Sequence, residues 1–244
     1  ETDVDDGCLR SSGNYPSLVA AALTGTDLTD VSCSGADSTS LVGVQETLDG
    51  VLHPAQFDAL DRQVDLVTIG IGGNDLGLFS TLLQGCSALA AQGGSGGSTT
   101  PTSLADGCTP AVRRQARESL AQIQRTVAAA FTGVVDRAPK ARVLAVGYPQ
   151  VVPEDGTCAE LPLAEADYGF ARSINEGLSD AIEEAAADAG VEYVDLWKIT
   201  AGHDVCSDDP WINGSSTDPG AALAFHPFAE EQQAVAEQIL EILG

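Results

Sequence analysis

Three histidines, His53, His203 and His226, are the side chains of this 244-residue chain whose ordinary titration range makes them natural general bases. His53 precedes Pro54 in a predicted loop and reads as a surface residue. His203, in Gly202-His203-Asp204-Val205-Cys206, sits beside a cysteine expected in a disulfide, where a structural hydrogen bond suits it better than catalysis. His226, in Phe225-His226-Pro227, comes just before the last predicted helix. Pro227 holds His226 in extended backbone, which aims an imidazole from a loop. Two further segments, Cys33-Ser34-Gly35-Ala36 and Gly72-Gly73-Asn74-Asp75, each follow a short apolar run. Glycine lets a backbone N–H approach a ligand closely, and Asn74 adds a neutral side-chain N–H. Two such donors converging on one point can hold an oxyanion. Tight strand-to-helix turns would account for either segment alone, and less well for both.

The elements that must position these residues are legible as alternating patterns. Asp65 to Ile71, Arg142 to Gly147 and Val191 to Leu196 are short, apolar and rich in β-branched residues, so each reads as a buried strand; Leu28 to Ser34 is a weaker fourth. Asn14 caps a predicted helix with Pro16 in its first turn. Longer helices are predicted from Pro110 to Val135, from Leu163 to Ala189 and from Ala229 to Leu243. Strand and helix in alternation argue for a parallel sheet covered on both faces, with ligands beyond the carboxyl ends of its strands. Ala91 to Thr102, rich in Gly, Ser and Thr, reads as a surface insertion, with a lid over a cleft as the weaker reading.

Composition narrows the class. Hydrophobic residues make up 43% and aromatics 5%, enough for one core of Ala, Val, Leu and Ile in a single domain over residues 1–244. The formal charge of −25, from 36 acids against 11 bases, excludes a phosphate-binding surface and so a nucleic-acid partner. No stretch is long and apolar enough for stable membrane insertion. Cys8, Cys33, Cys86, Cys108, Cys158 and Cys206 show no zinc-ligand spacing, so neither a structural metal nor free thiols fits as well as three disulfides in an oxidising compartment. Six cysteines allow about fifteen pairings; the shortest loops come from Cys8–Cys33, Cys86–Cys108 and Cys158–Cys206. The acidic residues Asp3, Asp5, Asp6, Asp204, Asp208 and Asp209 match no EF-hand loop and read as a solvated surface.

Taken in order, these segments resemble the blocks of the SGNH/GDSL hydrolases, particularly the secreted actinobacterial lipases, phospholipases A1 and acyl esterases. Asp65 to Asp75, DLVTIGIGGND, is similar to the block that supplies an asparagine, Ser34-Gly35-Ala36 to the one that supplies an oxyanion glycine, and Phe225-His226-Pro227 to the histidine block. Gly7 to Ser12, Gly202 to Cys206 and Pro210 to Gly214 agree as well. The resemblance implies a flavodoxin-like three-layer α/β/α fold on a five-stranded parallel sheet. It implies a secreted, monomeric serine ester hydrolase that needs no cofactor and acts on an ester or lipid substrate. His226 would be its general base, with Gly35 and Asn74 in its oxyanion hole. A carbohydrate acetylesterase and a non-catalytic binding domain are the alternatives.

Two departures from the family pattern matter. No Gly-Asp-Ser motif occurs in the sequence, so the nucleophilic serine and the first strand are expected on a further N-terminal segment. Many members also carry Asp three residues before the histidine, where this chain has Leu223. The expectation is therefore a Ser–His dyad whose imidazole is held by the backbone carbonyl of Leu223 or Ala224, with Asp218 as the alternative acceptor.

Overall fold

The computed structural model describes residues 3–86 and 107–244. The segment Ala91–Thr102, with its lid reading, lies outside the described residues. Three parallel strands form the main sheet: β3 (Leu66–Ile69), β4 (Arg142–Val146) and β5 (Glu192–Val194), with β4 in the centre. Leu66 pairs with Arg142, and Leu144 with Glu192. Before them comes a small antiparallel hairpin, β1 (Gln45–Glu46) and β2 (Leu52–His53), which the pattern of the sequence did not reveal.

The helices are α1 (Tyr15–Ala22), α2 (Leu78–Gly85), α3 (Pro110–Arg137), α4 (Tyr168–Ala189), the short α5 (Leu196–Ile199) and α6 (Ala229–Leu243). Local chemistry sets several of their ends. Asn14 accepts the Ser17 N–H at the start of α1, Thr109 accepts the Val112 N–H ahead of Pro110, and Gly190 closes α4 at φ +69°. Helix α4 begins at Tyr168 rather than Leu163, because Glu165–Asp167 forms a separate 3₁₀ turn.

Alternation along β4 builds the layers. Val143 and Ala145 join Ile123, Val127 and Phe131 of α3 and Ile174, Leu178 and Ile182 of α4 in one core. Leu144 and Val146 face the other way, against Val19 of α1 and Val235, Ala236 and Ile239 of α6. Helices thus cover both faces of a parallel sheet, a three-layer α/β/α arrangement. Arg113 of α3 pairs with the buried carboxylate of Asp167 and lies 4.6 Å from the Phe170 ring, so it turns inward.

The run Leu28 to Ser34 is not a strand. It makes no ladder among the described residues, and Leu28 and Val31 stay 45% and 39% exposed. Its middle is claimed locally: Asp30 accepts from the Ser32 N–H at 2.9 Å and from Asn14 Nδ2 at 2.8 Å, and its carbonyl accepts from Arg10. The described residues therefore contribute three of the five strands implied by the resemblance, and β3 has a ladder partner on one side only.

Three disulfides, Cys8–Cys33, Cys86–Cys108 and Cys158–Cys206, close loops with sequence separations of 25, 22 and 48. No helix among the described residues is long and apolar enough to cross a membrane.

Candidate active site

The loops beyond the carboxyl ends of β3 and β4 are packed so closely that they leave room for little but glycine. A Cβ on Gly72, at φ +116°, would come within 2.8 Å of Ile182 Cδ1, and one on Gly73 within 2.7 Å of the Tyr148 ring. The Gly73 N–H donates to the Tyr148 hydroxyl at 2.7 Å. Burial pushes the Tyr148 phenol up to about 12, so it stays a neutral anchor at physiological pH. The next residue, Asn74, is thereby held at the exposed rim, and its Nδ2 donates to the Ala36 carbonyl at 3.0 Å.

A second link joins the same two loops. Asp75 is buried and accepts from the Ser38 N–H at 2.8 Å and from the Ser38 hydroxyl at 2.5 Å. Burial raises its carboxyl above the usual range, while the two Ser38 hydrogen bonds pull the other way. Ser38 starts the 3₁₀ turn Ser38–Leu41, which directly follows Gly35-Ala36-Asp37. The turn Cys33–Ala36 is closed by an Ala36 N–H to Cys33 carbonyl bond of 3.1 Å, with Gly35 at φ +76°. The Cys8–Cys33 disulfide and a Ser34 N–H to Cys8 carbonyl bond hold that turn from behind. Among the described residues, no hydrogen bond uses the Gly35 N–H. Gly35 and Asn74 are thus brought to one place, two neutral donors that can stabilise a developing negative charge.

His226 is exposed and fixed by three backbone contacts. Its N–H donates to the Leu223 carbonyl at 3.1 Å, its carbonyl accepts from the Asn213 N–H at 2.9 Å, and its Nδ1 lies 2.8 Å from the Ala224 carbonyl. A carbonyl can only accept, so that contact places the proton on Nδ1 and leaves Nε2 as the acceptor nitrogen. Of the two carbonyls expected to hold the ring, Ala224 meets the imidazole and Leu223 the backbone. Asp218 is occupied elsewhere, accepting the Gly220 N–H at 2.9 Å.

The block Pro210 to Gly214 was legible in the sequence but without a role for Asn213, whose Nδ2 donates to the carbonyls of Ala222, Leu223 and Ser216 and so ties down the histidine loop. Phe225, the residue before His226, takes φ +59°, a conformation costly for a side chain with a Cβ. Phe225 lines a small apolar cleft of about 30 Å³ together with Leu78, Phe79, Leu82, Val152 and Leu161. The Asn175 amide also lines the cleft, but is satisfied by the Val151 N–H and the Pro149 carbonyl. Leu78 and Phe79 begin α2 directly after Asn74–Gly77, so the residues that follow the donor loop and the residue before His226 line the same cleft.

The other two histidines are structural. His203 stacks on Trp211 at 3.8 Å and contacts the Asp209 carbonyl, and His53 is half-buried rather than at the surface, with Nε2 2.9 Å from the Asp6 carbonyl. Among the described residues, the one cluster close enough to share a metal ion is Cys8, Cys33 and His53, whose two sulfurs are already joined to each other. Asp3 and Asp6 are engaged by Ser12 and by Arg10 and Cys8.

Residues 2–234 match the GDSL-like Lipase/Acylhydrolase family. The chain belongs to this family. Lipase 2 of Streptomyces coelicolor is 36% identical to it over 250 residues, covering 97% of this chain and 78% of the relative. Among solved structures, the extracellular lipase of Streptomyces rimosus superposes with a TM-score of 0.72 at 26% identity, over 98% of this chain and 89% of that one. Phospholipase A1 of Streptomyces albidoflavus NA297 shares the fold, with a TM-score of 0.73 at 24% identity over 98% and 89% of the two chains. This GDSL-like acylhydrolase is accordingly a carboxylic ester hydrolase of the serine type.

Proposed function

We propose that His226 is the general base, and that the Gly35 N–H and the Asn74 side chain are oxyanion donors, of a two-step acyl transfer. The observation that carries this reading is the contact of His226 Nδ1 with the Ala224 carbonyl, which leaves Nε2 as a proton acceptor, and the Asn74 Nδ2 bond to the Ala36 carbonyl, which draws Asn74 to the Gly35 turn, supports it. In this reading the nucleophile is a serine hydroxyl reaching the site beside β3, which has a ladder partner on one side only among the described residues; no Gly-Asp-Ser motif in the sequence assigns it. His226 takes the serine proton as the oxygen attacks the ester carbonyl, then gives it to the departing alcohol oxygen as the acyl-enzyme forms. Water repeats the exchange and releases the acid.

The cleft lined by Phe225, apolar but for an Asn175 amide whose bonds are already made, favours esters of fatty acyl groups, as in lipids, over acetylated sugars, whose hydroxyls would find few partners there. Relatives named lipase and phospholipase A1 support the same choice. Three disulfides support secretion.

The test uses the protein expressed from its whole reading frame, with p-nitrophenyl esters and a fluorophosphonate probe. We expect one serine to be labelled. Asn74→Ala should lower kcat by roughly 10²–10³, the usual effect of removing one oxyanion donor, and Asp218→Asn should stay within about tenfold. A loss near ten-thousandfold in Asp218→Asn would restore a carboxylate to the triad, and unchanged turnover in Asn74→Ala would remove that residue from the site.

A further inference from the structure

Five aliphatic side chains stand exposed within eleven residues on and around the β1–β2 hairpin. Val42, Val44, Leu48, Val51 and Leu52 are 68%, 68%, 103%, 40% and 65% exposed. A single exposed leucine needs no explanation, but five within one short segment mark an interaction surface. The hairpin does not use these side chains to hold itself together. Its turn is closed by polar contacts, the Thr47 N–H to the Val51 carbonyl at 2.9 Å, the Val51 N–H to the Thr47 hydroxyl at 3.0 Å, and the Gly50 N–H to the Thr47 carbonyl at 2.9 Å.

The patch is tied to the candidate active site. Gln45 Nε2 donates to the Ser34 carbonyl at 3.0 Å, one residue from Gly35. Val42 immediately follows the 3₁₀ turn whose Ser38 is bonded to Asp75, next to Asn74. Leu76, two residues past Asn74, is itself 45% exposed although its backbone sits at φ +56°. The same short segments that present the two N–H donors therefore also present aliphatic groups to solvent.

We propose that this hairpin docks the enzyme on the surface of an uncharged or zwitterionic lipid aggregate, so that ester carbonyls reach the donors from the lipid phase. The proposal rests on the ester-hydrolase reading and deepens it by naming the physical state of the substrate. Charge selects the occupant. The sequence has no Lys or Arg between Arg10 and Arg62, the hairpin carries Glu46 and Asp49, and the chain totals −25. Anionic lipid has no cation to hold there, and a second copy would bring two strongly negative surfaces together. A neutral apolar phase meets neither obstacle.

The test compares the protein from its whole reading frame with a Leu48→Asp/Leu52→Asp variant on a freely soluble short ester, on a dispersed long-chain ester, and in co-flotation with phosphatidylcholine and phosphatidylglycerol vesicles. We expect soluble-ester kcat/KM to stay within about twofold, while phosphatidylcholine binding and dispersed-ester hydrolysis fall roughly tenfold or more. A separate Leu48→Cys protein carrying a polarity-sensitive dye should shift to shorter wavelength on adding phosphatidylcholine vesicles, which keeps the question answerable if the double variant does not fold. Undiminished vesicle binding by the double variant overturns the proposal. So does preference for phosphatidylglycerol, or a dye already shielded before lipid is added, which would mean that the protein's own chain or a second copy covers the patch. Absence of any ester hydrolysis by the unmodified protein would defeat the functional reading instead, leaving the vesicle result to decide docking.

Discussion

An imidazole oriented by a carbonyl differs in one respect from one oriented by a carboxylate: the Ala224 oxygen fixes the tautomer of His226 but supplies only a partial charge to the imidazolium that forms during catalysis. Placement therefore has to do much of the work, and the loop shows it, with Asn213 bonded to three of its carbonyls. A second titratable group lies five residues on. Glu231, in the first turn of α6, is 3% exposed, and its Oε2 has no hydrogen-bond partner among the described residues. Burial pushes its carboxyl up to about 8. Because this lies above the ordinary carboxylate range expected for the unfolded chain, the folded state holds the proton longer. Its contribution to stability is complete below about pH 4.5, declines as pH rises, and is lost as pH passes 8. Glu231→Gln should remove that decline, leaving the variant more stable than the parent above pH 8 by on the order of a few kcal/mol. Denaturant unfolding of both proteins from pH 4 to 9 measures this, and parallel curves would show that Glu231 finds a partner. Nothing in the string Ala229-Glu230-Glu231-Gln232 separates the exposed glutamate from the buried one; only packing does.

At the scale of elements, the most readable parts were those whose local pattern and tertiary role agree. β3, β4 and β5 lie inside their predicted runs, and α6 spans its predicted limits, because apolar periodicity and burial coincide in them. Leu28 to Ser34 failed because a strand is defined by its neighbour, and Asp30 binds local donors instead. The β1–β2 hairpin escaped notice for the opposite reason, since its aliphatic residues face solvent and its two-residue strands are too short to show a period. The donor loop was legible as a glycine cluster, yet the reason for each glycine, Ile182 against Gly72 and Tyr148 against Gly73, is a contact from a distant element. Helix α2 likewise became meaningful only as a wall of the cleft, to which it contributes Leu78, Phe79, Leu82 and Leu83. Leu82 is half-exposed, so a larger side chain there can grow into the cleft rather than into the core. Leu82→Trp should cut kcat/KM for octanoyl and longer esters about tenfold or more, the scale of a few lost methylene contacts, while acetyl esters change little. An equal loss across all chain lengths would place the acyl group outside this cleft.

Over the whole molecule, charge is the dominant feature that the fold does not neutralise. Against 36 acids and 11 bases, the described residues form three ion pairs between arginines and carboxylates, so most carboxylates face solvent without a cation. Such a surface repels itself in the compact state and favours expansion. Screening reaches about 30 Å at 0.01 M salt and about 8 Å at 0.15 M, so raising ionic strength weakens this repulsion across the molecule while costing few pairs. Tm should therefore rise by several degrees between roughly 0.01 M and 0.5 M NaCl, at about 2–4 °C per kcal/mol for a chain of this size, with most of the rise below 0.15 M. Scanning calorimetry at fixed pH checks it, and a flat or falling Tm would show that the exposed acids are balanced by the few cations after all. The same field bears on the substrate surface. Repulsion from anionic lipid is long-ranged and screened by salt, whereas contact of the hairpin's aliphatic groups with a neutral interface is short-ranged and survives salt. Vesicle binding that persists at high ionic strength would accordingly separate apolar docking from electrostatic attraction, and would fit a molecule whose charge keeps it off everything except the one phase its hairpin can enter.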